Sequence, residues 1–191
     1  MIQYKRAPGC QRNFDCSGPV NTVILHPNQS ELISGDQNGN IRVWDLAMNA
    51  CSRELIPDGE IAIRSISVAS DGGQLVAANN SGKCFVWKLA DNDANKFEPL
   101  QKLEAHSTYI TKCTFSLDCK MLATASADHT VKLWSTKDYS LVKTLSGHQR
   151  WVWDCTFSSD CQFLVTGKKN LRVVVGGIES LTQIFACRQN M

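Results

Sequence analysis

Short runs of mixed apolar and polar residues, about four to six long, recur along most of the chain with turn-forming pairs between them. Ile110–Phe115, Met121–Thr124, Val131–Trp134 and Leu141–Leu145 make one series, and Val152–Phe157 and Phe163–Thr166 begin another. Runs of this length and character suit strands. Asn38-Gly39, Asp71-Gly72-Gly73, Ser81-Gly82 and Asp118-Cys119 supply turns between such runs. No window keeps apolar residues at i, i+3, i+4 and i+7 for three turns, so no helix longer than about two turns is expected before Gly167. The pattern predicts an all-β chain of antiparallel strands.

The runs repeat. TKCTFSLDCKMLAT (Thr111–Thr124) and WDCTFSSDCQFLVT (Trp153–Thr166) align without a gap at an offset of 42 residues, and His106 and His148 stand at the same offset. Trp44, Trp87 and Trp134 close the runs IRVW, CFVW and VKLW at spacings of 43 and 47. A period of about 40–45 residues with a terminal Trp marks the four-stranded blade of a β-propeller. A β-sandwich has strands of similar length but gives no reason for regular Trp and His positions. The expected order is a remnant of a preceding blade over 1–15, blades over 16–56, 57–103 and 104–145, a half blade over 146–167 and an unrelated tail over 168–191. Ala90–Pro99, ADNDANKFEP, lengthens the second unit and reads as a solvated insertion loop.

Composition narrows the function classes. The formal net charge is +2 and no Lys/Arg cluster forms a phosphate track, so no nucleic-acid partner is expected. Met1–Arg12 lacks the apolar core of a secretory signal, and no run approaches the roughly 18 apolar residues of a membrane span. The expected location is therefore inside the cell, in the cytoplasm. Nine scattered cysteines without a Cys-x-x-Cys pair predict no disulfide framework. Cys84, Cys113 and Cys155 sit in apolar runs and read as small hydrophobes. The four histidines lack metal-ligand spacing. No metal, cofactor, catalytic residue or small-molecule substrate is expected.

The unit from Glu104 to Leu145 resembles a WD repeat. In that family a His before the first strand, a Ser/Thr on the second, an Asp in the following turn and a Trp on the third form one hydrogen-bonded set. The resemblance puts these roles on His106, Thr124, Asp128 and Trp134. Each buried polar atom would then have a partner, which is the condition for keeping such groups inside. A hydroxyl tied to a buried Trp has no open oxyanion site, which argues against a hydrolase built on His106 or His148. The other units are degenerate. The fourth has His148 and Thr166, but Asn170 and Gly176 stand where its Asp and Trp would fall. In the first, Ser34 and Trp44 fit, Asn38 replaces the turn Asp, and no His precedes Val20. The second keeps Trp87, with Ala77 and Ser81 at the hydroxyl and Asp positions.

HPNQSELISGDQNGNIRVWDL (His26–Leu46) is more individual than a generic repeat. Together with GCQRNF, NNSGKCFVWKL, TFSLDCKMLATASADHTVKLW and RWVWDCTFSSDCQFLVT it resembles the Gβ-like subunit of target of rapamycin (TOR) kinase complexes, from about Pro8 to Thr166. The resemblance implies a seven-bladed propeller of which this chain carries part. It also implies a scaffold role, with the TOR kinase domain and other complex subunits as partners. Another WD-repeat adaptor, such as a ubiquitin-ligase receptor, and a non-functional truncated product are the alternatives. Partners of propellers dock on the rim beside the first strands, which points to Arg150, Trp151 and Trp153, with Tyr109 and Thr111 as counterparts one unit earlier. Trp151 and Trp153 alternate and are expected on one side of the strand. The resemblance ends at Thr166. One permitted coding of Thr166–Lys169 contains a splice-donor sequence, so Gly167–Met191 is expected to be translated intron.

Overall fold

In a computed structural model the described residues are 13–90, 93–168, 172–177 and 185–186. They form four antiparallel sheets of four strands each, and each sheet runs through its strands in chain order. Blade one holds β1 (Val20–Leu25), β2 (Glu31–Asp36), β3 (Ile41–Asp45) and β4 (Ala50–Leu55). Blade two holds β5 (Ile63–Val68), β6 (Gln74–Asn79), β7 (Lys83–Ala90) and β8 (Asp93–Glu104). Blade three holds β9 (Ile110–Phe115), β10 (Met121–Ser126), β11 (Val131–Ser135) and β12 (Leu141–Leu145). Blade four holds β13 (Val152–Phe157), β14 (Phe163–Lys168), β15 (Arg172–Gly177) and β16 (Phe185–Ala186). The first strands pack side by side in the order β1, β5, β9, β13. This is a partial β-propeller, as the repeat predicts, with no helix among the described residues.

The core lies between blades. Ile33, Ile41 and Val43 of blade one bury themselves against Ile63, Ile66 and Val68 of blade two. Val76, Ala78, Cys84 and Val86 then meet Ile110, Cys113 and Phe115. Ala123, Ala125, Val131 and Leu133 meet Val152, Cys155 and Leu164. Each joint therefore sets the second and third strands of one blade against the first strand of the next. Burial raises the thiol pKa of Cys84, Cys113 and Cys155, which keeps them protonated and unreactive. Polar bonds cross the joints as well: Cys113 N donates to Ser65 Oγ at 3.1 Å and Phe115 N to Ser67 Oγ at 3.2 Å.

Glycine is required where one blade's turn meets the next blade's loop. Gly82 has φ +81°, and a Cβ there would lie 2.2 Å from the carbonyl oxygen of His106. The Gly82 carbonyl accepts from the amides of Ala105 and His106 at 3.0 and 2.9 Å, so this turn fixes the loop that carries His106.

Two expectations need correction. Most of ADNDANKFEP is strand: Leu89 pairs with Phe97 and Ala90 with Asp93, so β7 and β8 continue their pairing beyond the blade. Phe97 is buried and anchors the extension, with the Arg53 guanidinium 5.0 Å from its ring centre. Nor is blade four a half blade. Val173 pairs with Gly167 and Val175 with Val165, which adds β15 to β14, and β16 pairs with β15. Alternating backbone hydrogen bonds need no Trp, so a segment without the motif still joins the sheet. The expected remnant over 1–15 lies largely outside the described residues; Phe14 packs 5.1 Å from Trp44.

Candidate functional site

In blade three the loop before β9 brings His106 under the β10–β11 turn. Its Nδ1–H donates to Asp128 Oδ2 at 2.8 Å, and its Nε2 accepts from the Thr124 hydroxyl at 2.8 Å. The indole N–H of Trp134 donates to Thr124 Oγ1 at 3.0 Å. Asp128 also accepts from Thr130 Oγ1 at 2.6 Å. This assignment makes His106 neutral. Burial lowers its pKa, and the neighbouring Asp128 only partly opposes that. Burial alone would raise Asp128, but the Thr130 hydroxyl and His106 outweigh it and hold the carboxyl below its usual range. Thr124 is fully buried, and its oxygen is engaged by both His106 and Trp134. It is a strut between two strands and cannot present a nucleophile. No group of three His, Cys, Asp or Glu side chains among the described residues could hold a metal.

Blades one and two fill the same corner differently. The residue ending the second strand caps the following turn in all three: Asp36 Oδ1 accepts from Asn38 N at 2.9 Å, Asn79 Oδ1 from Ser81 N at 3.0 Å, and Ser126 Oγ from Asp128 N at 3.1 Å. In blade one that residue is also the charge. Asp36 Oδ2 accepts from Arg42 Nη1 at 2.9 Å and Asn40 Nδ2 at 3.0 Å, and Arg42 Nη2 reaches Ser17 Oγ at 2.9 Å and Glu54 at 2.6 Å. Burial would raise the Asp36 pKa, but Asn40, Asn38 and Arg42 outweigh it and lower it. Asn38, which the spacing puts in place of the turn Asp, donates only from its amide and, at 3.5 Å, to the Ser17 carbonyl. In blade two Asp58, from the loop before β5, accepts from Lys83 Nζ at 3.1 Å and Asn79 Nδ2 at 3.0 Å.

The lower half of the set is shared less widely than expected. Trp44 Nε1 donates to Ser34 Oγ at 2.8 Å. Trp87 cannot do the same, because Ala77 stands at that position. The sequence pattern groups Trp87 with the Trp residues of the hydrogen-bonded sets, but it packs in the apolar joint instead, 6.3 Å from Phe85. In blade four His148 Nε2 lies 3.0 Å from Thr166 Oγ1, both buried. Asn170 lies outside the described residues, and Gly176 pairs with Leu164 in β15.

The second residue of each first strand, Asn21, Arg64, Thr111 and Trp153, lines a cavity of about 260 Å³, together with Tyr109. Beside it stand three aromatic rings in contact. Tyr109 and Trp151 meet edge to face at 5.4 Å, and Trp151 and Trp153 are 5.8 Å apart. Trp151 and Trp153 remain 43% and 44% exposed, and Arg150 is exposed next to them. Tyr109, Arg150, Trp151 and Trp153 thus form one surface. The Thr111 hydroxyl, on the same cavity wall, shares its one proton between the carbonyls of Val152 at 2.5 Å and Ala125 at 3.0 Å. Sequence reasoning missed Asn21 and Arg64 here; the alignment of Asn21, Arg64, Thr111 and Trp153 across units was the available signal.

Comparison with known proteins agrees with this geometry. The model of the family described as WD domain, G-beta repeat matches residues 8–45, 97–135 and 139–175. The chain belongs to this family. Its third matched WD repeat runs into β15, beyond the point where the motif fades. Among curated relatives, a Protein LST8 homolog of Dictyostelium discoideum is 65% identical over 132 residues, 69% of this chain and 43% of the relative. Target of rapamycin complex subunit LST8-1 of Arabidopsis thaliana is 56% identical over 142 residues, 73% of this chain and 47% of the relative. Target of rapamycin complex subunit wat1 of Schizosaccharomyces pombe is 51% identical over 138 residues, 72% and 44% respectively. The resemblance to the Gβ-like subunit is therefore borne out, and this WD-repeat chain spans less than half the length of these relatives.

Proposed function

We propose that the chain acts as a non-catalytic WD-repeat subunit of a TOR kinase complex, in the cytoplasm, docking on the kinase domain through Tyr109, Arg150, Trp151 and Trp153. The likeness to relatives named as TOR complex subunits carries this reading. The chemistry of the rim supports it: Trp, Tyr and Arg dominate the binding energy of protein interfaces, and here Tyr109, Trp151 and Trp153 brace one another while both Trp rings and Arg150 are exposed. The polar sets beneath the rim act as internal struts, which hold the loops that present the aromatic rings.

The test is co-purification. The tagged chain is expressed in cells and the kinase is sought among the captured proteins. Capture by the wild type, lost in the Trp151→Ala/Trp153→Ala variant, is the expected result. Recovery of a ubiquitin-ligase core without the kinase would overturn the proposal in favour of another adaptor role.

A further inference from the structure

The residues at the second position of the first strands use their side chains in different ways. Asn21 Nδ2 donates to the Ile63 carbonyl at 2.9 Å, and the Thr111 hydroxyl donates to the Val152 carbonyl at 2.5 Å. Each therefore reaches the first residue of the next blade's first strand. Arg64 stands at the same register in β5 but does not follow them. Its Nε donates to Asn80 Oδ1 at 2.7 Å, in the β6–β7 turn of its own blade, and the side chain stays exposed. Among the described residues its two terminal nitrogens have no hydrogen-bonding or carboxylate partner.

That sets Arg64 apart from other basic side chains of the first two blades. Arg42 is held by Asp36 and Glu54, Arg53 by Glu31 and Lys83 by Asp58. Those charges are answered within the molecule. A guanidinium fixed through Nε is oriented, yet it keeps both terminal nitrogens as donors, the fork that matches a carboxylate. The wall around it carries no acid: Asn21, Tyr109, Thr111 and Trp153 are the other residues that line the cavity. At about 260 Å³ the cavity admits one side chain and falls below the roughly 300–1,000 Å³ of small-molecule pockets. Tyr109 and Trp153 join this wall to the aromatic rim, so a segment lying across the rings has the cavity beside it.

We propose that Arg64 is a specificity-determining residue of the docking surface: the cavity takes one Asp or Glu side chain of the kinase, which pairs with the Arg64 guanidinium while its neighbours lie on Tyr109, Trp151 and Trp153. This rests on the kinase-docking reading and extends that surface from blades three and four to blade two. Asn80 is a positioning residue, which holds the guanidinium in place on the cavity wall. A charge pair at the edge of an interface acts through steering and partner choice, and it makes part of the binding salt-dependent.

The test is the affinity of the purified kinase for the 191-residue chain at low and at high salt, with the melting temperature of each variant recorded. Arg64→Ala is expected to weaken binding about tenfold at low salt and by less at high salt, and to melt with the wild type. Arg64→Lys, which keeps the charge without the fork, is expected to fall between the two. Asn80→Ala is expected to weaken binding by itself and to add nothing to Arg64→Ala, as for two residues acting as one unit. Lys120→Ala removes an exposed cation beyond the far end of β9 and is expected to bind as the wild type does. Arg64→Glu is expected to abolish binding, and one Asp-to-Lys or Glu-to-Lys exchange on the kinase, found by scanning its exposed carboxylates singly, is expected to restore it. Rescue by no such exchange overturns the carboxylate pair. Phosphatase treatment of the kinase is expected to change nothing; loss of the Arg64 effect after it would put a phosphate in the cavity and overturn the carboxylate. If Trp151→Ala/Trp153→Ala loses the kinase while Arg64→Ala binds like the wild type, docking on the rim stands and the role of Arg64 is overturned. If the wild type itself does not bind the kinase, the docking reading fails and the role of Arg64 falls with it.

Discussion

Blades one and three share a backbone corner but not its chemistry. Blade three closes it with a neutral, fully buried His106 between Asp128 and Thr124. Blade one has no histidine there and closes it with a charged pair, Asp36 and Arg42, that also collects Ser17, Asn40 and Glu54. Below the corner the two agree again, each with a hydroxyl accepting from a Trp indole. What the fold requires is therefore a polar strut linking the loop before the first strand to the second turn. Several donor–acceptor sets can serve, provided every buried atom is paired. The corner is a structural device rather than a reactive site.

The largest expected effect is at Asp36. Asp36→Ala removes the acceptor of three side chains, Ser17, Asn40 and Arg42, and of two turn amides, and leaves the largely buried Arg42 with Glu54 as its carboxylate partner. A loss of about 3 kcal/mol in urea unfolding is expected, on the scale of breaking a buried ion pair from one side. Asp128→Ala is expected to cost less, about 2 kcal/mol, because the neutral His106 loses one hydrogen bond while buried. If the order is reversed, the charged corner is not the more demanding of the two.

A change of pH separates the corners further. The folded pKa of His106 lies below the ordinary 6.5. The stability that comes from keeping it neutral is complete above about 6.5 and is lost as pH falls towards the folded value, since the unfolded chain binds the proton first. Asp36 and Asp128 are lowered from 3.8, so their contributions persist until the pH falls below that value. Unfolding free energy measured from neutral pH down to about 5 is expected to fall less steeply in His106→Gln than in the wild type. Asp36→Asn should leave the slope in that window unchanged; a changed slope would place the titration in the wrong blade. The smallest effect is expected at Asn38→Ala, within about 0.5 kcal/mol of the wild type, because its side chain makes only a long, exposed contact.

Much of this was legible beforehand. The runs Ile110–Phe115, Leu141–Leu145 and Val152–Phe157 are strands with the bounds that the pattern predicts. The repeat placed His106, Thr124, Asp128 and Trp134 within hydrogen-bonding reach of one another. Two things were not fully legible. The blade-one corner uses Asp36 rather than the motif position Asn38, and Asp36 meets Arg42 only because the β2–β3 hairpin folds one over the other. Blade four's third strand was only partly legible: the apolar run Leu171–Val175 could form a strand, but no motif placed it in the blade. The Trp that marks such strands serves packing, whereas the ladder itself asks only for extended backbone, which RVVVGG supplies. The reading of Gly167–Met191 as translated intron concerns the transcript. If mature messenger RNA instead encodes GKKNLRVVV after Thr166 throughout, that reading fails and the tail is a native part of blade four.

The central claim is that the rim binds and the corners support. It is tested most directly by the affinity of the purified TOR kinase for the wild-type chain and for Trp153→Ala, with the melting temperature of each recorded. Trp153→Ala is expected to melt with the wild type and to bind about thirtyfold more weakly, roughly the 2 kcal/mol of a hot-spot side chain. Unchanged affinity, or a loss matched by unfolding, would contradict the claim.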